Sequence, residues 1–190
     1  MHTVLTTAYE LQEVTMRTGH AAIAAAVAIA AIAVTEVPAN AADTTTTFTV
    51  TATTGLTVGA QPNASLSSAA PGGDAVGALG NVTVNDQRSE LSTDWIATVS
   101  LSTPFTTGSG TASETIGGAS VVYDPRTAIN PVNGPFTAGT SGNLASPRTA
   151  FSRPSGDGAN SVSWNPQLTV SVPAGNVSGA YSGVITHSVA

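Results

Sequence analysis

Beyond residue 42 the chain alternates apolar and hydroxyl-bearing residues at every second position between glycine and proline punctuation, and no stretch sustains a 3.6-residue apolar period. Such alternation puts apolar side chains on one face of a strand and threonine or serine on the other, as a sheet with one wet side requires. The clear rows are Thr47-Phe48-Thr49-Val50-Thr51, Leu56-Thr57-Val58, the set Trp95, Ala97, Val99 and Leu101, the set Leu168, Val170 and Val172, and the set Tyr181, Gly183, Ile185, His187 and Val189. Asn81 to Val84 and Ser120 to Tyr123 read as strands too, with weaker ones around Ile116, Phe136, Leu144, Phe151 and Val162. Turns such as Pro71-Gly72-Gly73-Asp74 and Gly156-Asp157-Gly158 separate them. The spacing predicts an all-β fold, a single antiparallel β-sandwich of about 8 to 10 short strands over residues 42–190. The proline-rich stretch from Pro125 to Gly158 is expected to cross the surface or cover one end, with Arg126, Arg148 and Arg153 paired to acids elsewhere.

A sandwich of this kind needs a soluble outer face, and charge does not supply it. Only 8% of the 190 residues are charged and none is lysine, whereas 23 Thr and 20 Ser follow residue 41. The five Arg and eleven acids leave a net charge of −6, so no basic surface exists to displace counterions from a nucleic acid or an anionic membrane. Without cysteine there are no disulfides, thiolate metal sites or thiol nucleophiles, and the core alone must hold the fold.

Ahead of the β region, Ala21 to Val34 is an uncharged run of 14 apolar residues preceded by Arg17. A membrane span needs about 18 to 20 such residues and a signal-peptide core about 7 to 15, so the run reads as a signal-peptide helix. Pro38 and the tract Ala39-Asn40-Ala41 complete a cleavable signal over residues 16–41, with the cut before Ala42 and no membrane span in the mature chain. Glu10 and Glu13 put acidic charge where such a leader is normally positive, and residues 1–15 read as a gene-model extension. The chain's last residues, Thr186 to Ala190, resemble no sortase-type anchor, so secretion with non-covalent attachment or release is expected.

Proton-transferring groups are scarce. His187 is the one histidine after residue 41, which rules out an imidazole zinc site over that stretch, and no G-x-S-x-G elbow accompanies it. Asp86, Glu90 and Asp94 fall within nine residues and could gather oxygens for calcium, but Arg88 sits among them and an ion pair is the simpler reading. The same acids would have to serve a carboxylate-dependent glycan hydrolase, and eight aromatics after residue 41 are too few for both a core and a sugar cleft. No enzyme activity and no cofactor is expected. Trp95 and Trp164 read either as core anchors or as exposed stacking surfaces, with the nearby Pro166 placing Trp164 at an edge or at the start of a strand.

Several segments together resemble the surface-associated WxL domain family of Gram-positive bacteria, and more closely the WxL-like secreted proteins of high-GC relatives. They are Val82 to Arg88, Asp94 to Ser100, Phe105-Thr106, Ile116 to Tyr123, Trp164 to Leu168, Val172 to Gly175 and Gly179 to Ile185. The resemblance implies an extracellular β-sandwich that binds peptidoglycan or other wall polysaccharide without catalysis. It points to Trp95, Trp164 and Leu168 as binding positions. The family's Trp-x-Leu spacing is altered here, since Ala97 follows Trp95 and the leucine after Trp164 comes at position 168. The alternative expectation is a structural or adhesin-type subunit that joins other surface proteins through open sheet edges.

Overall fold

The computed structural model describes residues 46–51 and 55–190, and in them the two-residue alternation becomes thirteen strands. These are β1 (Leu56–Gly59), β2 (Asp74–Ala78), β3 (Val82–Asp86), β4 (Trp95–Thr106), β5 (Thr115–Ile116), β6 (Val121–Asp124), β7 (Ala128–Val132), β8 (Thr137–Ala138), β9 (Gly142–Asn143), β10 (Arg148–Arg153), β11 (Asn160–Trp164), β12 (Gln167–Ser171) and β13 (Ser182–Val189). The expected extension 1–15, the signal segment 16–41 and the cut before Ala42 lie outside the described residues. Among the described residues no helix is long and apolar enough to cross a membrane.

Within the unit Thr47–Ala190 the strands pair antiparallel in a sandwich-like arrangement. One sheet has the order β13-β4-β10-β8, with β5 beside the far end of β4. Two further sheets, β1-β3-β11-β7 and β2-β12-β6-β9, are built from chain segments that run on from one to the other. β2 leads into β3, β6 into β7 and β11 into β12, and the three breaks at residues 79–81, 125–127 and 165–166 fall side by side in the register. Pro166 lacks an N–H for the ladder, Gly80 and Arg126 take positive φ, and Leu79 N–H still reaches Pro166 O at 2.9 Å across the gap. A strand with a proline here bends into two rather than ending.

All three sheets feed one core. Val82 and Val84 come from β3, Trp95, Ala97 and Val99 from β4, Val121 and Tyr123 from β6, and Trp164, Leu168 and Val170 from the β11–β12 pair. The outer faces carry hydroxyls that bond across strands. Thr98 and Ser188 meet at 2.7 Å, as do Ser102 with Thr186 and Thr83 with Ser163. Cross-strand hydroxyl pairs of this kind satisfy a wet face without charge.

Three expectations fail. Thr47 to Thr51 joins no strand, and Phe48 and Val50 stand 86% and 76% exposed, because a period-2 pattern marks a competent strand but does not provide a partner. The Pro125 to Gly158 stretch is not confined to the surface: β7 to β9 are mostly exposed, but β10 lies inside its sheet between β4 and β8. Its prolines sit at tolerated places, with Pro131 on the edge strand β7 and Pro147 and Pro154 flanking β10. The three arginines bond to neutral groups: Arg126 to Gln167 Oε1, Arg148 to Thr140, and Arg153 to Thr93 O and Gly156 O.

Candidate functional site

The acidic loop after β3 folds around its first member. Asp86 is fully buried and takes Arg88 in a two-pronged pair, Nε to Oδ1 and Nη2 to Oδ2 at 2.9 Å each. Arg88 N–H also reaches Oδ1, and Asn160 Nδ2 donates to Oδ2 at 3.0 Å. Four donors therefore occupy the four acceptor directions of the carboxylate, leaving none for a metal. The Arg88 hydrogen bonds hold the Asp86 carboxyl down to about 2 against the opposing effect of burial. Glu90 and Asp94 are exposed, and it is the Asp94 backbone oxygen that Arg88 holds, at 2.8 Å. The three acids do not converge, and among the described residues no group of three metal-binding side chains does.

The same network reaches Trp95. Its Nε1–H donates to Asn160 Oδ1 at 2.9 Å, so the chain of contacts runs Arg88, Asp86, Asn160, Trp95 from the rim inward. Trp95 and Leu168 are 1% exposed and Trp164 is wholly buried. Trp164 lies on β11 between β3 and β7, not on an edge, and stacks on Phe151 at 4.7 Å. Pro166 marks the bend into β12 rather than a sheet margin. The indole rings are therefore core anchors, and no ligand on the surface can stack against them.

Trp164 belongs to a second buried network that the sequence did not announce. Its Nε1–H donates to Tyr123 Oη at 2.9 Å, and Tyr123 Oη lies 3.0 Å from His187 Nε2. An indole can only donate, and among the described residues no other acceptor is within reach of the phenol proton, so the arrangement that satisfies all three groups has the phenol donating to Nε2 of a neutral His187. Burial pushes the imidazole down to about 4 and the phenol well above its usual value. Trp164, Tyr123 and His187 thus use each other's polar atoms. The separation of 41 and 64 residues between partners hid the set from a reading along the chain.

Arg153 is the other polar anchor missed in the sequence. Fully buried, it sends Nη1 to Thr93 O, Thr93 Oγ1 and Gly156 O, and Nε to Asn133 O, tying three loops at one end of the sandwich.

Concavity lies elsewhere, on the side where β13 forms the edge of its sheet. The extended segment 60–69 crosses there, and between it and β13 run two joined hollows of about 190 and 570 Å³. Phe105 lines both, Ile185 and His187 line the smaller, and Val170 and Val172 line the larger. The lining carries no charged side chain. Searches among protein-family models, curated proteins and solved structures find no match to the chain.

Proposed function

We propose that this chain is a secreted, non-catalytic surface protein that associates non-covalently with cell-wall polysaccharide, peptidoglycan included. The observation that carries the reading is the outer surface of β4 and β13. There the Thr98–Ser188 and Ser102–Thr186 pairs put cross-strand hydroxyls on the outer face of a chain with 8% charge. Hydroxyls can exchange hydrogen bonds with sugar hydroxyls without the desolvation cost that a charged surface would incur. The resemblance to WxL-like secreted proteins supports the same compartment and partner. Because Trp95 and Trp164 are internal, wall contact would fall to this hydroxyl surface instead of an aromatic platform. The non-catalytic part of the reading is supported by the way Tyr123 and Asp86 are held by fixed protein partners, and by the engagement of Nε2 of His187, which lines the smaller hollow, with Tyr123.

Co-sedimentation with purified cell wall tests this directly. Wild type should pellet with the wall, and a Ser102→Ala/Thr186→Ala double variant should stay folded by circular dichroism yet pellet several-fold less. Wild type remaining in the supernatant would end the wall-binding reading. Release of reducing sugar from the wall would end the non-catalytic one.

A further inference from the structure

His187 has a second nitrogen that the buried network does not use. With Nε2 taking the Tyr123 proton, the neutral ring carries its own proton on Nδ1. No described residue accepts that proton, and the atom is not sealed from solvent. The ring lines the smaller hollow of about 190 Å³. Nδ1–H is therefore a donor left to whatever occupies that space.

The wall that faces β13 is fixed from behind. Ser67 N–H donates to Val76 O and Ser67 Oγ accepts from Val76 N–H, each at 2.9 Å, which ties segment 60–69 to β2. Gly77 leaves room for Leu66, since a Cβ there would meet Leu66 Cδ2 at 2.9 Å, and Gly80 does the same for Gln61, whose Cγ would lie 2.5 Å away. The side-chain amides of Gln61 and Asn63 belong to the lining, are exposed, and have no partner among the described residues. Leu66, Phe105, Leu168 and Ile185 add apolar surface, and no charged side chain joins them.

We infer that the smaller hollow binds one N-acetylated hexosamine unit of a neutral glycan, with the acetamido carbonyl accepting from His187 Nδ1–H, its methyl against the apolar lining, and ring hydroxyls meeting Gln61 and Asn63. Size fits. A cavity of about 150 Å³ holds benzene, so one of about 190 Å³ takes a single six-membered ring with a short arm. Chemistry fits as well, because an apolar site with a few placed polar groups selects a ligand that is neutral, apolar on its faces and polar at its edge. A carboxylate or phosphate would find no cation in the lining, and an aliphatic chain would cover the Nδ1 proton without accepting it. The larger hollow continues past Ser65, Tyr181 and Ser182, which lets the unit sit within a chain as well as at its end. The choice of a glycan rests on the polysaccharide reading above. The site does not, since it lies on the inward side of β13 and not on the hydroxyl face, so each can fail alone.

Two soluble trimers test this, triacetylchitotriose and cellotriose, which share one linkage and differ in carrying an acetamido group or a hydroxyl at the same ring carbon. Titration calorimetry on protein purified as its host processes it should find the acetylated trimer bound about tenfold more tightly, the worth of one good hydrogen bond. Nitrogen NMR should show the His187 Nδ1 signal moving as that trimer is added. Gln61→Ala/Asn63→Ala changes two exposed positions, so folding is not at stake, and should weaken binding several-fold, while Ser102→Ala/Thr186→Ala should leave it unchanged. Equal binding of the two trimers, an unmoved His187 signal, or no binding of either would overturn the proposal. Wild type that pellets with cell wall yet ignores the acetylated trimer would sink this site and leave the wall reading standing. Wild type that binds the trimer at His187 but does not pellet would do the reverse.

Discussion

Trp164 Nε1 donates to Tyr123 Oη at 2.9 Å across the interior of the sandwich, and that bond decides the state of a third residue. The phenol has no other acceptor among the described residues, so its proton is satisfied when it goes to His187 Nε2, which is then unprotonated. The histidine is therefore a structural acceptor, and its titration is a folding event.

The pH dependence follows from the sign of the shift. His187 is lowered from 6.5 to about 4 by burial, so between these values the unfolded chain binds the proton and the native one does not. Stability is then full above pH 6.5 and falls as the pH drops toward 4, by an amount on the order of 3 kcal/mol at about 1.4 kcal/mol per unit. Urea midpoints measured from pH 7.5 to 4 should trace that decline. His187→Gln, which keeps an acceptor without a basic nitrogen, should flatten it. An equal slope in the variant would assign the acid sensitivity to other groups.

Asp86 produces a second, lower window. Its carboxyl is depressed to about 2, so its contribution is intact above pH 3.8 and is lost only as the pH falls from there toward 2. Arg88→Ala should be worse than Asp86→Asn. The arginine side chain is 30% exposed and can turn to water, whereas the carboxylate is buried and would keep only the backbone N–H of residue 88 and Asn160. Stranding a buried charge costs about 3 to 5 kcal/mol, and the Asp86→Asn/Arg88→Ala double variant should recover part of it. Millimolar calcium should leave the wild-type melting temperature unchanged, since the acceptor directions of Asp86 are already filled. A calcium-dependent rise abolished by Asp86→Ala would contradict that occupancy.

Secondary structure was legible wherever the two-residue alternation was carried by branched or aromatic side chains, as in β3, β4, β12 and β13. β2 escaped notice because Asp74-Ala75-Val76-Gly77-Ala78 has little to alternate. Its Gly77 is dictated by a distant segment, since a Cβ there would meet Ser65 O at 2.7 Å. Phe48 and Val50 show the converse, a strand pattern without a strand. Propensity is local and pairing is not. For the same reason Trp95 and Trp164 could be singled out, but not the Asn160 and Tyr123 groups that fix them. The Arg88 pair was readable because its partner is two residues away.

Processing is tested by mass spectrometry of the protein taken from medium or cell surface. The tract Ala39-Asn40-Ala41 predicts a mature N-terminus at Ala42 or within a residue or two of it. A product beginning before Ala21 would refute the signal-peptide reading.

The tryptophans can be separated by what each substitution removes. Trp164→Ala should cost about 3 to 5 kcal/mol, the range for deleting a large buried aromatic, and so serves poorly as a probe of wall contact. Trp164→Phe keeps most of the packing against Phe151 and deletes only the donor to Tyr123. Its cost should fall to about 1 to 3 kcal/mol, because the phenol retains His187 and loses one partner. Trp95→Phe should cost more than Trp164→Phe. The orphaned group there is Asn160 Oδ1, a buried amide oxygen, and Asn160 in turn braces Asp86. Trp95→Phe should also raise the acid midpoint of the lower pH window, whereas Trp164→Phe should leave it in place. Chemical denaturation of both variants at pH 7 and pH 3 measures this, and equal behaviour at pH 3 would show that the two buried networks are not independent.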